Sequence, residues 1–256
     1  MPATEVARKD VSPRRLQWLT ATVNDVIDET PRTRTLVLDV PEWPGHRAGQ
    51  HVDVRLTGDD GYQAQRSYSI ASAPEDTRLM LTVERIEDGE VSPYLAGDVQ
   101  AGDQFELRGP IGGYFVWTAA LGGPLFLVAG GSGVVPLMAM LRHRAVARSN
   151  AQTVLLYSSR TQEDIIYRAQ LDELAATGDG LKVVHTLTRE KPAGWTGGTR
   201  RIDRAMLSEF GFPLSTKPHM FICGPTPLVE SAARALSALG HEPARIKTER
   251  FGPTGG

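Results

Sequence analysis

Four stretches of this chain hold residue types that bind phosphates and planar rings. The first is Arg66–Ser67–Tyr68–Ser69. On an extended strand, Arg66 and Tyr68 share one face, and Ser67 and Ser69 share the other. A guanidinium suits a phosphate, and a tyrosine ring stacks on a planar heterocycle. The same residues also fit an edge-strand tyrosine among solvated neighbours. The second stretch is GEVSPYL, starting at Gly89. A glycine-led loop entering a short helix leaves backbone N–H groups free, and these, with the Ser92 hydroxyl, can hold a pyrophosphate. RGPIGGYF follows from Arg108, a glycine-rich turn with aromatics. A plain turn with a capping serine is an equal alternative for each.

The third stretch is Gly130–Gly131–Ser132–Gly133–Val134–Val135–Pro136, between an apolar run and a helical pattern. Glycine lets backbone approach a phosphate, and the helix N-terminus adds positive potential. Ser132 adds a hydroxyl, and Pro136 suits a first helical turn. A dinucleotide fingerprint G-x-G-x-x-G needs glycine where Pro136 stands. A hydrolase elbow G-x-S-x-G needs glycine where Val134 stands. Asp203, His219 and His241 make only a forced triad with Ser132.

The fourth is Cys223–Gly224–Pro225, which follows an apolar run and precedes a helix. That places a thiol at a carboxyl strand end, where ligands of α/β sheets sit. A small buried residue filling a turn is the alternative. Glu249 and Phe251 stand in the final strand pattern, which fits a packed terminal strand as well.

These stretches need elements to hold them. Up to about residue 118, alternating segments at 22–27, 34–40, 50–56, 65–71, 78–86 and 104–108 are separated by Pro, Gly and Asp clusters. Six such strands predict a closed or nearly closed antiparallel β-barrel, with a short helical piece at 92–96. From residue 124, continuous apolar runs (124–129, 153–158, 181–188, 219–223) alternate with helical patterns (135–147, 163–176, 204–210, 227–239), and 245–249 reads as a fifth strand. That alternation predicts an α/β doubly wound, parallel five-stranded sheet. The expected division is a tail at 1–15, a barrel domain at 16–118 and an α/β domain at 119–256, with a hinge at 119–123.

Composition narrows the classes. The 256 residues carry 28 Lys+Arg against 30 Asp+Glu, a net charge of −2, so neither nucleic acid nor an anionic membrane is an expected partner. No stretch reaches the roughly 18 apolar residues of a membrane span. The start lacks the apolar segment of a signal peptide, so a cytoplasmic location is expected. The single cysteine cannot form an internal disulfide or hold an iron–sulfur cluster. The histidine spacing suggests no zinc site.

RSYS, GEVSPYL, RGPIGGYF, LVAGGSGVVPLMAML, ICGPTPLVE and TERFG stand in the order and spacing of the ferredoxin–NADP⁺ reductase superfamily. From about residue 18 onward the chain resembles its short bacterial ferredoxin-reductase-like members. The resemblance implies FAD in the barrel domain and NAD(P)H in the α/β domain. It puts Arg66 on the flavin phosphates, Tyr68 on the ring face, and Ser69 near flavin N5, with Ser67 between them. Gly89, Val91 and Ser92 would hold the pyrophosphate. The 130–136 loop, including Gly130, Gly131, Ser132, Gly133 and Pro136, would hold the nicotinamide dinucleotide. Cys223, in the turn with Gly224 and Pro225, would lie beside the hydride-donating carbon and position the reacting pair without acting as a nucleophile. Glu249 would sit near the flavin, and Phe251 would cover the ring face. Ser159, Arg160, Thr188 and Arg189 would meet the ribose 2′ group. Thr188–Arg189 resembles the Ser-Arg pair of NADPH-using relatives, and no acid ends the 153–158 run. The implied function is hydride transfer from NAD(P)H to FAD, by a protein expected to be a monomer. The electrons would pass to a separate ferredoxin or other redox protein, for which Arg14, Arg15 and Arg32 could form a docking patch. A free-flavin or small-molecule reductase and a non-catalytic electron-transfer subunit are the alternatives.

Overall fold

Alternating burial builds the first half of the chain. A computed structural model describes residues 16–251; the expected 1–15 tail, with Arg14 and Arg15, and residues 252–256 lie outside them. Strands β1 (Leu19–Thr30), β2 (Thr33–Asp39), β3 (His51–Thr57), β4 (Gln63–Ser69), β5 (Leu79–Glu84) and β6 (Gln104–Ile111) form one antiparallel sheet in the order β4-β3-β6-β1-β2-β5. Leu36, Leu38, Val52, Val54, Leu81, Val83 and Leu107 fill its inside. The sheet is rolled, but its edges meet only at the bridge Ile70–Leu81 and the bond from Ala71 N to Met80 O, 2.8 Å. The expected barrel is therefore closed by a stitch instead of a full ladder. The short helical piece is a π-helical turn, Tyr94–Asp98, anchored by Leu95 and Ala96.

The second half reads as continuous apolar strands because both faces are covered. Strands β7 (Leu125–Gly130), β8 (Thr153–Ser159), β9 (Leu181–Leu187), β10 (His219–Pro225) and β11 (Ile246–Phe251) are parallel, in the order β11-β10-β7-β8-β9. Helices α1 (Val134–Val146), α2 (Arg168–Ala176), α3 (Arg204–Phe210) and α4 (Thr226–Ala238) connect them. The strand order reverses between β7 and β10. That switch point opens a crevice at the carboxyl ends of both strands. No helix among the described residues is long and apolar enough to cross a membrane.

Three expectations are corrected. Helix α2 starts at Arg168 and not at 163, because Tyr167 holds a left-handed φ of 62° and Asp164 caps a turn at Thr161. Strand β11 runs to Phe251, which pairs with Pro225. The expected hinge at 119–123 contains a 3₁₀ turn, Ala119–Leu121, whose Ala119 N–H donates to His143 Nε2 at 3.1 Å. His143 in turn lies 2.7 Å from Glu75, so this linker is tied to both halves.

Helix α1 joins the halves. Every residue from Val134 to Leu141 is buried, which no surface helix shows. One side packs on the parallel sheet; the other meets Ala48, Ala71, Phe115 and Trp117 of the first half in a single core. Arg142 donates to Ala71 O at 2.6 Å and stacks over the Tyr167 ring. Buried hydroxyls complete the seam. Tyr167 donates to Thr82, which lies 2.7 Å from Thr35, which donates to Glu29 at 2.6 Å. Tyr167→Phe breaks this chain at its buried end and leaves Thr82 short of a partner. We expect it to lower the unfolding free energy by about 1–2 kcal/mol, read from urea denaturation. An unchanged midpoint would show that the hydroxyl chain adds no net stability.

Candidate active site at the junction of the two sheets

The switch-point crevice is a cleft of about 470 Å³. Its floor is Gly130, Gly131 and Pro225, and one wall is Ser158, Ser159, Arg160 and Thr188. The first half contributes Thr30, Arg32, Thr33 and Glu84 as the opposite wall. The size suits a small-molecule or cofactor site. Two glycines shape the floor. Gly131 has φ +53°, and a Cβ on Gly133 would stand 2.2 Å from Cys223 O and 2.7 Å from Gly224 N. Any side chain at 133 would push the turn after β7 away from the carboxyl end of β10. Pro136 is buried in the first turn of α1 and does not line the cleft. Ser159 Oγ is buried beside the Tyr157 hydroxyl and has no hydrogen bond of ordinary geometry.

The ring-side residues converge from four strands. Ser69 on β4 pairs with His51 on β3, and Cys223 on β10 pairs with Glu249 on β11. His51 Nδ1 lies 3.9 Å from Glu249 Oε1, linking the pairs across the domain junction. Burial pushes Glu249 up to about 7, and its Oε2 has no partner. Burial, then the Glu249 carboxylate, pushes the Cys223 thiol up, and burial lowers His51. At neutral pH the thiol and imidazole are uncharged and the carboxylate sits near its midpoint. A buried, protonated thiol is a poor nucleophile. Phe251 lines the cleft at the end of β11.

The phosphate-side residues are arranged around their own partners. Tyr68 is half-buried against the barrel core. Arg66 is paired with Glu90, to which Tyr62 also donates. Ser67 donates to Asp53 at 2.6 Å, and Asp53 also accepts from Arg108 at 2.9 Å. The Ser92 hydroxyl accepts from Ile86 N at 3.1 Å, closing its own loop. Gly89 and the buried Val91 frame that loop. Arg189 does not line the cleft; Arg201 does. Arg32 also lines the cleft, with Nη2 3.2 Å from Arg85 O and 3.8 Å from Glu87.

The sequence reading passed over His51, Asp53, Glu84, Glu90 and Arg201. His51, Asp53 and Arg55 carried a signal: polar residues at every second position of a strand beside the RSYS strand. Arg201 carried none, because it comes back to the cleft only when Gly198 bridges to Thr186 and Thr186 donates to Arg200 O.

Comparison with known proteins fits this geometry. The oxidoreductase FAD-binding domain family matches residues 20–116, and the oxidoreductase NAD-binding domain family matches 127–234. The chain is 33% identical over 245 residues to an aromatic O-demethylase reductase subunit from Amycolatopsis, covering 93% of this chain and 70% of that one. It belongs to the ferredoxin reductase-type FAD- and NAD-binding oxidoreductases. Within this family it is also 31% identical over 234 residues to the glycine betaine monooxygenase reductase subunit of Pseudomonas aeruginosa, spanning 63% of that relative's length. The solved Amycolatopsis cytochrome P450 reductase superimposes with a TM-score of 0.80 at 30% identity, over 93% of this chain and 71% of that one. The cleft opens where the two matched domains meet.

Two outcomes follow for this reductase fold. Gly133→Ala forces backbone apart at the cleft floor and should cost roughly 1–3 kcal/mol, seen as a lower melting temperature with weakened nucleotide binding. Glu249→Gln tests the buried carboxylate. The folded protein holds this proton to about 7, against 4.5 for an ordinary glutamate. Below the lower value both forms are neutral. As pH rises through the upper value, only the wild type must bury a charge. The melting temperature of Glu249→Gln should therefore gain on wild type between about pH 4.5 and 7, then level off. A constant difference across that window would show that Glu249 is not shifted.

Proposed function

We propose that the chain is an NAD(P)H-dependent flavoprotein reductase that passes electrons to a separate redox protein, such as a ferredoxin or an oxygenase component. The carrying observation is the convergence of Ser69, His51, Cys223 and Glu249 beside the dinucleotide cleft. The residues fit a flavin: a half-buried Tyr68 for its ring, Arg66 for its phosphates, and an orphaned Glu249 oxygen aimed into the junction. When bound, the nicotinamide supplies a hydride and the flavin accepts it and releases electrons onward.

The protein's part is orientation. The Gly130–Gly133 turn brings backbone close to phosphate at the start of α1. The Cys223–Gly224 peptide, locked against Gly133, fixes one side of the reacting pair. Ser69 presents its hydroxyl from the end of β4, and Phe251 stands at the mouth of the cleft. Glu249, near its midpoint at neutral pH and 3.9 Å from His51, can hold or release a proton as the ring's charge changes.

Arg160 and Arg201 in the cleft favour NADPH over NADH; of the two acids lining it, Asp164 is engaged by Thr161, and Glu84 stands on the opposite wall, contributed by the first half. The printed names of the relatives, reductase subunits of monooxygenases and of a demethylase, support an oxygenase system as the electron user.

Anaerobic stopped-flow mixing of flavin-loaded protein with NADPH, and separately with NADH, tests the reading. Rapid bleaching of the flavin band is expected, faster with NADPH. A flavin that binds but bleaches with neither would favour a non-catalytic subunit. Bleaching with NADH alone would reverse the donor assignment.

A further inference from the structure

The arginine expected to hold the cofactor phosphate is already shared with a carboxylate. Glu90 projects from the loop between β5 and the π-helical turn. That loop is fixed from within: Val91 is buried, and Ser92 Oγ accepts from Ile86 N. Glu90 Oε2 takes Arg66 Nη2, while Glu90 Oε1 accepts the Tyr62 hydroxyl at 2.6 Å. Arg66 Nη1 donates to Gln65 O at 2.7 Å. Tyr62 is itself held by a bond from its N–H to Asp60 Oδ1 at 3.0 Å. The neighbouring Glu87 lies 3.3 Å from Arg85 and 3.8 Å from Arg32, so its charge is matched and Arg66 answers to Glu90. A phosphate arriving at Arg66 meets a guanidinium with one carboxylate already on it.

We propose that Glu90, clasped by Tyr62 and Arg66, is a specificity determinant that selects FAD over FMN. The inference rests on the flavin reading above. FMN ends in a phosphate monoester carrying about −1.5 to −2 at pH 7. FAD carries its charge as a diphosphate diester, one unit on each phosphate. A carboxylate sharing the same guanidinium meets all of the monoester's charge at contact, but only half of the diester's, whose second unit stands one phosphate farther off. Each unit of charge at contact distance in a water-rich setting should weaken binding about fivefold, and the farther phosphate offsets part of the difference. The Tyr62 hydroxyl matters because it stops Glu90 from swinging away when phosphate arrives. Hydrogen bonds from Tyr62 and Arg66 also hold Glu90 below the usual carboxylate range, so it stays charged.

The test is flavin titration of the full chain after its flavin has been removed. FAD, FMN and riboflavin are added to wild type, Glu90→Gln and Tyr62→Phe, with flavin fluorescence as the readout. Glu90→Gln should tighten both flavin nucleotides, FMN more than FAD, narrowing the FAD preference by up to about fivefold. Riboflavin, which has no phosphate, should bind all three proteins alike. Tyr62→Phe should move the FMN constant in the same direction by a smaller factor. An equal change for FAD and FMN in Glu90→Gln, or weaker binding of either, overturns the proposal, because Glu90 would then be a structural or ribose-contacting group. A shift in riboflavin binding overturns it as well, since that cannot come from phosphate charge. Failure of wild type to bind any of the three would instead bring down the flavin reading itself.

Discussion

The burial of the first turns of α1, Val134–Leu141, on every side is the constraint on which the rest depends. A helical segment apolar all round has no stable surface position, so it must be enclosed. Here the parallel sheet covers one side and Ala48, Ala71, Phe115 and Trp117 cover the other. The same helix begins at the glycine turn that floors the cleft. The packing that joins the two halves thus also fixes the distance between the β4 end, which carries Ser69, and the β10 end, which carries Cys223. Hydride chemistry needs reacting atoms held within a few tenths of an ångström. A shared core supplies that rigidity where a flexible linker would not, and the tied 119–121 turn agrees with it.

The electrostatics of the site follow from the same enclosure. Glu249 is close to neutrality because the junction keeps water away and His51 stands 3.9 Å off, too far for a strong hydrogen bond. The thiol and imidazole nearby are uncharged for the same reason. Of the groups in the junction only Glu249 changes charge near neutral pH. The outer residues are the opposite case. Arg66, Glu90 and Tyr62 lie out in solvent, and Arg160 and Arg201 lie in the open cleft. The permanent charges thus stand away from the junction's buried thiol and imidazole.

Much of this was legible in the sequence, for identifiable reasons. The strands β7 and β8 are buried at every residue and read as unbroken apolar runs. The glycine turn at 130–133 was marked by residues that have no other use there. Less was visible where contacts span the chain. Tyr167 in a left-handed conformation interrupts a pattern that reads as helix from 163, because tertiary burial of its ring overrides local preference. Arg201 replaces Arg189 at the cleft through a bridge between Gly198 and Thr186 that no periodicity encodes. That the Ser92 hydroxyl accepts from the N–H of Ile86 is likewise a contact no local pattern announces.

The Ser92 case carries a more general point about phosphate loops. A loop must be rigid before its N–H groups can bind an anion at little entropic cost. The side-chain hydroxyl that rigidifies it does so as an acceptor. In this chain Ser92 accepts from Ile86 N, the Gly89 N–H closes the same turn on Ile86 O at 2.9 Å, and Glu90 reaches across to Arg66. Rigidity and charge come from successive residues of one short segment. That is why so few residues can shape such a loop, with the serine as one of its braces.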